Sequence, residues 1–166
     1  MKTLTFVAIF IAISAMTAVA QTAAKTTDDF YAKLAELNIR GLPDDAQLTA
    51  ISPFLSNDIV ALIKRDQKKQ TAIIKKHPDE KPPWAEGDLF SSLFEGRTSY
   101  KLGRSRTVAG ATNVDVKLEY ADGTNTSKWT DTAILKKTGG KWRITNILYK
   151  GKWQFKSGSS LLNALK

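Results

Sequence analysis

The sequence contains no cysteine and only one histidine, His77, among its 166 residues. Without cysteine the chain can form none of the disulfides on which small secreted scaffolds usually depend, and it has no site for the lipid of a lipoprotein. Zinc sites need clustered cysteine or histidine, and the acidic stretches lack the full oxygen-ligand pattern of a calcium loop. We therefore expect no metal ion and no cofactor.

Long apolar runs are also missing, except near the amino terminus. Lys2 is followed by an apolar run over residues 4–13 and then by Ala18-Val19-Ala20, which is the pattern of a secretory signal peptide. The run is about half of the roughly twenty residues that cross a membrane. We predict that residues 1–20 are a cleaved signal peptide, that the protein is exported to a periplasm or secreted, and that it has no transmembrane segment.

Residues 21–166 are predicted to form a single domain. A chain of this length can bury roughly two thirds of its unfolded surface, so an apolar core can hold it without disulfides. Without Lys2, 24 basic residues stand against 16 acidic ones, a net charge of +8. This excess favours polyanionic neighbours, and its densest part is residues 64–81, "KRDQKKQTAIIKKHPDEK", interpreted as the solvated face of a helix.

Helical spacing dominates the first half of this region. Apolar residues recur every three to four positions over residues 27–40, with Thr27 or Asp28 as a cap and Gly41 as the end. A short second helix is predicted over residues 43–51, with proline at its first position.

A long third helix is predicted to begin after a Ser56 or Asn57 cap and to end at Lys76. Its apolar residues form one stripe, and its lysines lie on the other side. His77 precedes a proline, and such a residue avoids the helical conformation. This position predicts that His77 lies outside any catalytic pocket, and the proline-rich residues 77–87 are predicted to be a loop.

The stretch "DLFSSLFEG", residues 88–96, invites a nucleophile interpretation because of its two serines. A serine nucleophile needs an adjacent base and an oxyanion hole, and the pattern G-x-S-x-G is absent here. The spacing instead predicts a short helix capped by Asp88 and ended by Gly96. Its buried side would carry Leu89, Phe90, Leu93 and Phe94.

Beyond residue 96 the period changes from 3.6 to 2, which predicts antiparallel strands. The strands are predicted over residues 98–107, 112–121, 128–137 and 142–149. A short closing helix is predicted in "LLNALK". Helices followed by a meander indicate an α+β fold, with N-terminal helices packed on a strongly bent, cone-like antiparallel sheet that wraps the long third helix.

The order "FYAKLAELNIRGLP", "LTAISPFLSNDIVALI", "GDLFSSLFEG" and "WTDTAILKKTGGKWRITNILY" resembles the nuclear transport factor 2-like, or SnoaL-like, superfamily of α+β cones. More narrowly, it resembles a bacterial family of exported and lipoprotein domains of unknown function. The resemblance implies a cone with an open mouth and, by analogy, a homodimer. It also implies that any catalysis would use carboxylates or histidines inside the cone, as in ketosteroid isomerase.

The strand acids Asp115, Glu119 and Asp131 are the weak candidates for such a catalytic acid or base. Asp115 and Glu119 alternate with the apolar residues of their strand, so the simplest interpretation places them in water.

An aromatic and basic ribbon over residues 140–156 is the other candidate site. Flat aromatic rings beside cations hold single-stranded nucleic acids and suit sugar rings, although both faces of this strand are partly apolar, as in a covered sheet. The candidate ligand-binding residues are Trp142, Arg143, Tyr149, Lys152 and Trp153.

The leading hypothesis is a non-catalytic, exported binding protein whose partner is an unknown protein or an anionic envelope polymer. The alternative is a small-molecule-binding protein or an isomerase- or hydrolase-type enzyme that uses carboxylates in the cone pocket. A polyanion or nucleic-acid binder comes third. Its binding would have to depend on salt, because it would rest on phosphate contacts.

Overall fold

The structure, a computed structural model, describes residues 22–153 and 159–165. The predicted signal peptide, residues 1–20, lies outside the described residues. Helices come first, an antiparallel sheet follows, and a short helix closes the chain, which confirms the α+β prediction. The helices are α1 (Ala23–Glu36), α2 (Asp45–Ile51), a single 3₁₀ turn (Ser52–Phe54), α3 (Asn57–Lys76) and α4 (Leu161–Ala164).

The first helix begins and ends about four residues earlier than its pattern predicts. Thr22 is the cap, because its side chain accepts a hydrogen bond from the Lys25 amide at 3.0 Å. Thr27, predicted as a cap, is buried within the helix. The chain leaves the helix at Asn38, which takes a left-handed φ of 45°, so Gly41 lies beyond the end.

The starts of α2 and α3 follow local capping rules. Asp44 and Gln47 form a capping box, so α2 starts after Asp44 and the preceding proline lies outside it. Ser56 caps α3 as predicted, accepting from the Ile59 amide, and α3 ends before His77.

Four strands form an antiparallel sheet in chain order, within two residues of the predicted bounds. They are β1 (Ser99–Val108), β2 (Ala111–Ala121), β3 (Thr126–Thr138) and β4 (Lys141–Leu148). The outer edge of β4 is partly covered, since Leu55 bridges to Ile144 and Ser160 bridges to Leu148. The outer edge of β1 pairs with no other described strand.

The core lies between α1 and the inner face of the sheet. Phe30, Tyr31 and Leu34 of α1 are buried in one core with apolar residues of β2 and β4. In contrast, α3 buries only Ile59, Ile63 and Asp66. The core is thus built on α1, and the prediction that the sheet wraps the third helix is wrong, because the second half of α3 has no apolar face wide enough to bury.

Candidate functional site

Residues 88–96, which we call the 88–96 loop, form successive turns and bends and no helix. Asp88 accepts a hydrogen bond from the Phe90 amide at 2.8 Å, which folds the chain into a local turn. Leu89, Phe90 and Leu93 are buried as predicted, but Phe94 is 48% exposed. The predicted short helix is therefore wrong, because hydrogen bonds to distant residues replace the helical ones.

Those distant bonds come from buried polar side chains that surround the loop. Tyr31 donates its hydroxyl to the Phe90 carbonyl at 3.2 Å, and Tyr149 donates to the Leu89 carbonyl. Burial raises the pKa of both tyrosines above the ordinary value. Both phenols therefore stay neutral and act as donors that hold the loop to α1 and the sheet.

Asp131, one of the predicted catalytic candidates, is 0% exposed and binds the same loop. Its Oδ2 accepts from the Ser92 amide at 2.8 Å and from the Trp129 indole at 3.2 Å. Its Oδ1 accepts from the Lys150 amide at 2.9 Å. Three N–H donors thus occupy the carboxylate, which gives Asp131 a structural role; its catalytic role stays a prediction.

Asp115 and Glu119 lie on the opposite face of the sheet from Asp131. Burial alone would raise the pKa of Asp115, but hydrogen bonds from Thr132 at 2.9 Å and from both terminal nitrogens of Arg106 outweigh burial and lower the pKa. Glu119 pairs with a lysine, Lys128, at 2.9 Å on the surface. The three predicted carboxylates therefore do not converge on one cavity.

The ribbon residues are also dispersed. Tyr149 is buried, as described above, and Arg143 donates to the Pro53 carbonyl. Trp142 is half-buried and lies beneath the Lys137 ammonium, 5.5 Å from the ring centre.

Trp153 and Lys152 complete the predicted ribbon. Trp153 is half-buried and packs edge-on against Trp129 at 5.7 Å between ring centres, whereas Lys152 is exposed. Since Tyr149 is enclosed and Arg143 is bound to a carbonyl, the five residues do not form a single aromatic surface, although their ligand binding stays a prediction.

A cavity of about 200 Å³ lies where the end of α1 meets the start of β1, and we call it the α1–β1 cavity. It is lined by apolar side chains, hydroxyls and three charged groups. The lining residues with functional side chains are Asn38, Arg40, Asp88, Arg97, Thr98, Ser99 and Tyr100. No local spacing in the sequence signals this cavity, because its two arginines lie in separate connecting segments, one after α1 and one before β1.

The charged groups of the cavity are ordered by the 88–96 loop. Arg97 donates to Asp88 in a buried ion pair, with side chains 9% and 5% exposed, and its guanidinium lies 5.2 Å from the centre of the Tyr31 ring. Arg40 donates to the Glu95 carbonyl at 2.6 Å. Gly96 has a φ of 83°, and a Cβ there would lie 2.7 Å from Arg40 Nη1.

Tyr100 borders the cavity from β1. Its hydroxyl lies 3.0 Å from the Asp28 carbonyl and 3.1 Å from the Asp28 carboxylate. Partial burial and this bond to a carboxylate raise the pKa of Tyr100 to about 12. The phenol therefore stays protonated at neutral pH.

An open groove of about 500 Å³ runs between the start of α2 and one side of α3. Its cations are Lys64, Lys68 and Lys75, which we call the α3 basic face. None of the three forms an ion pair with a described residue, and Asp45 is the one acid that lines the groove. The prediction that lysines occupy the solvated side of this helix is confirmed.

Comparison of the chain with models of known protein families, with curated proteins and with solved structures finds no match. Among residues 22–153 and 159–165, no helix has the length and apolar character needed to cross a bilayer. Over the same residues, no group of three or more His, Asp or Glu side chains is arranged to hold a metal ion.

Proposed function

We propose that this is an exported, non-catalytic binding protein that engages an anionic polymer through the α3 basic face. The observation that carries the proposal is the alignment of Lys64, Lys68 and Lys75 along one groove without ion-pair partners among the described residues. Unpaired lysines spaced along a helix can each neutralise a charge of a polyanion. The net charge of +8 predicted for the exported chain adds long-range attraction of the same sign.

The carboxylates give less support to the enzyme alternative. A general acid or base must reach its substrate. Here Asp131 is occupied by three N–H donors, and Asp115 has a lowered pKa that disfavours proton donation. Glu119 pairs with a surface lysine. These three residues do not share a pocket, so binding is the better-supported function.

The cone-like bend of the sheet and the nuclear transport factor 2-like relationship belong to the same proposal. They are supported by the order of helices and strands and by the irregularities in the β1–β2 and β3–β4 pairings, since bulges bend strands.

The test of the α3 basic face is a binding titration. A fluorescent anionic polysaccharide is titrated with the purified protein at a series of salt concentrations. The variant carries Lys64→Gln, Lys68→Gln and Lys75→Gln. The slope of log affinity against log salt should fall in magnitude by roughly one for each lysine that contacts the polymer. Affinity at low salt should fall as well.

A matched control removes three exposed lysines of the sheet, with Lys101→Gln, Lys117→Gln and Lys136→Gln. It changes net charge by the same amount, so it should reduce affinity far less. Equal losses in the two triple variants would show that binding follows bulk charge, and no binding at low salt would overturn the proposal.

A further inference from the structure

We propose that the α1–β1 cavity is a second binding site, which takes a small organic carboxylate between Arg40 and Arg97. The cavity shares no lining residue with the α3 basic face, so this inference is independent of polymer binding. It rests on the volume of the cavity, its charge balance and the unused hydrogen-bond donors of its arginines.

The volume sets the size of the ligand. About 200 Å³ is smaller than the roughly 300–1,000 Å³ of pockets for drug-sized molecules. Leu34 and Ile39 are apolar residues of its lining, and Thr98, Ser99 and Tyr100 are polar ones. A few carbon atoms joined to one polar head would fill such a space.

The charge balance sets the sign of that head. The side chains that line the cavity carry two positive charges, on Arg40 and Arg97, and one negative charge, on Asp88. Asp88 is already occupied, because its Oδ1 accepts from the Phe90 amide and its Oδ2 from Arg97. The excess positive charge therefore favours an anion over a cation.

The arginine donors set the chemistry of the head. Within the described chain, Arg97 uses only Nη1, on Asp88, and Arg40 uses only Nη1, on the Glu95 carbonyl. A guanidinium has five N–H donors in a planar fork that matches a carboxylate. Arg40 forms no ion pair with any residue in the described ranges, so it is the cation most available to a ligand.

The fixed position of Arg97 strengthens the argument. Its ion pair with Asp88 and its position against the Tyr31 ring hold a nearly buried guanidinium at the cavity wall before any ligand arrives. A preorganised cation costs little ordering entropy when an anion binds. Arg97 is thus assigned to position the ligand, and Arg40 to close on it from the exposed side.

The test is a titration of the isotopically labelled protein, followed by amide NMR, with butyrate and with its neutral counterpart butyramide. Butyrate should cause saturable shifts at cavity residues, and butyramide should not. Inorganic phosphate is the third probe. Phosphate binding at the same residues without butyrate binding would overturn the carboxylate assignment, as would equal binding of butyrate and butyramide.

The variant Arg40→Gln identifies the binding group. Hydrogen bonds to charged groups are strong, so the loss of one in Arg40→Gln should lower the affinity for butyrate roughly tenfold or more. Arg104→Gln is the matched control, because Arg104 is an exposed arginine of β1 outside the cavity. The affinity of the Arg104→Gln variant for butyrate should be unchanged.

Arg40→Gln is preferred to a change at Arg97, since Arg40 is exposed whereas Arg97 is held in a buried ion pair with Asp88. The amide spectrum of the variant without ligand confirms its fold. Equal losses of affinity in Arg40→Gln and Arg104→Gln would overturn the proposal, and so would an unchanged affinity in a folded Arg40→Gln variant.

Discussion

Asp131 shows how one buried carboxylate can hold distant parts of a fold together. It joins three elements, because its N–H donors belong to Ser92 in the 88–96 loop, Trp129 in β3 and Lys150 after β4. Hydrogen bonds to a charged group are stronger than neutral ones. Together with Tyr149, Asp131 in this way attaches a loop without helix or strand to the sheet.

Removing the Asp131 carboxylate should therefore destabilise the protein strongly. Each buried donor left unsatisfied costs about 1–3 kcal/mol, so Asp131→Ala should lower the free energy of unfolding by about 3 kcal/mol or more. Asp131→Asn keeps one acceptor oxygen and should cost less. Chemical denaturation followed by circular dichroism measures both values.

The matched control is Glu119→Gln, which removes a carboxylate of the same sheet from an exposed ion pair. Surface pairs contribute about 0–1 kcal/mol. If Asp131→Ala cost no more than Glu119→Gln, the structural role of Asp131 would be refuted.

At the scale of elements, the two long helices differ in how much of their length is packed. Six of the fourteen residues of α1 are buried, and they extend along most of its length. In α3 the buried residues stop at Asp66, and none of residues 67–76 is buried. Ile74, with 44% exposure, has no place in the core. Most helical stability comes from tertiary packing, so the second half of α3 lacks its main support.

Hydrogen exchange should reveal this difference within α3. Amides of residues 67–76 should exchange faster than those of residues 59–66, because opening the outer half exposes little apolar surface. Exchange measured by mass spectrometry or NMR on the purified protein gives both rates, with α1 as the packed reference helix. Uniform protection along all of α3 would contradict the prediction.

At the scale of the whole molecule, buried tyrosines link stability to alkaline pH. Tyr31 and Tyr149 have raised pKa values because they are buried, and the pKa of Tyr100 is raised to about 12. In the unfolded chain a tyrosine ionises near pH 10. The contribution of the protonated phenols to stability is thus fully present below about pH 10. It is lost as the pH rises toward the pKa values of the folded protein.

Tyr31→Phe should reduce this alkaline loss, since one fewer buried phenol ionises on unfolding. At neutral pH the variant should be less stable by roughly 0.5–1.5 kcal/mol, because the Phe90 carbonyl loses its donor. Chemical denaturation from pH 7 to 11 measures both effects. Tyrosinate absorbance of the folded protein gives the pH at which Tyr31 ionises. Ionisation near pH 10 would contradict the buried environment assigned to Tyr31.

Much of the architecture is determined by local sequence. The change of period from 3.6 to 2 after residue 96 located the helices and the strands, because each period places apolar side chains on one face of its element. Turn and cap residues such as Ser56 set several of the bounds. The apolar pattern does not give the start of α1. It begins near Thr27 and so predicts Thr27 as the cap, whereas the cap, Thr22, precedes the pattern.

Tertiary structure alone decided the conformation of the 88–96 loop and the existence of the α1–β1 cavity. Tyr31 bonds to a carbonyl 59 residues away and Tyr149 to one 60 residues away. Arg40 and Arg97 line one cavity only because α1 packs near β1. Contacts between residues so distant leave no periodic trace in the sequence, since periodicity records only which face of an element is buried.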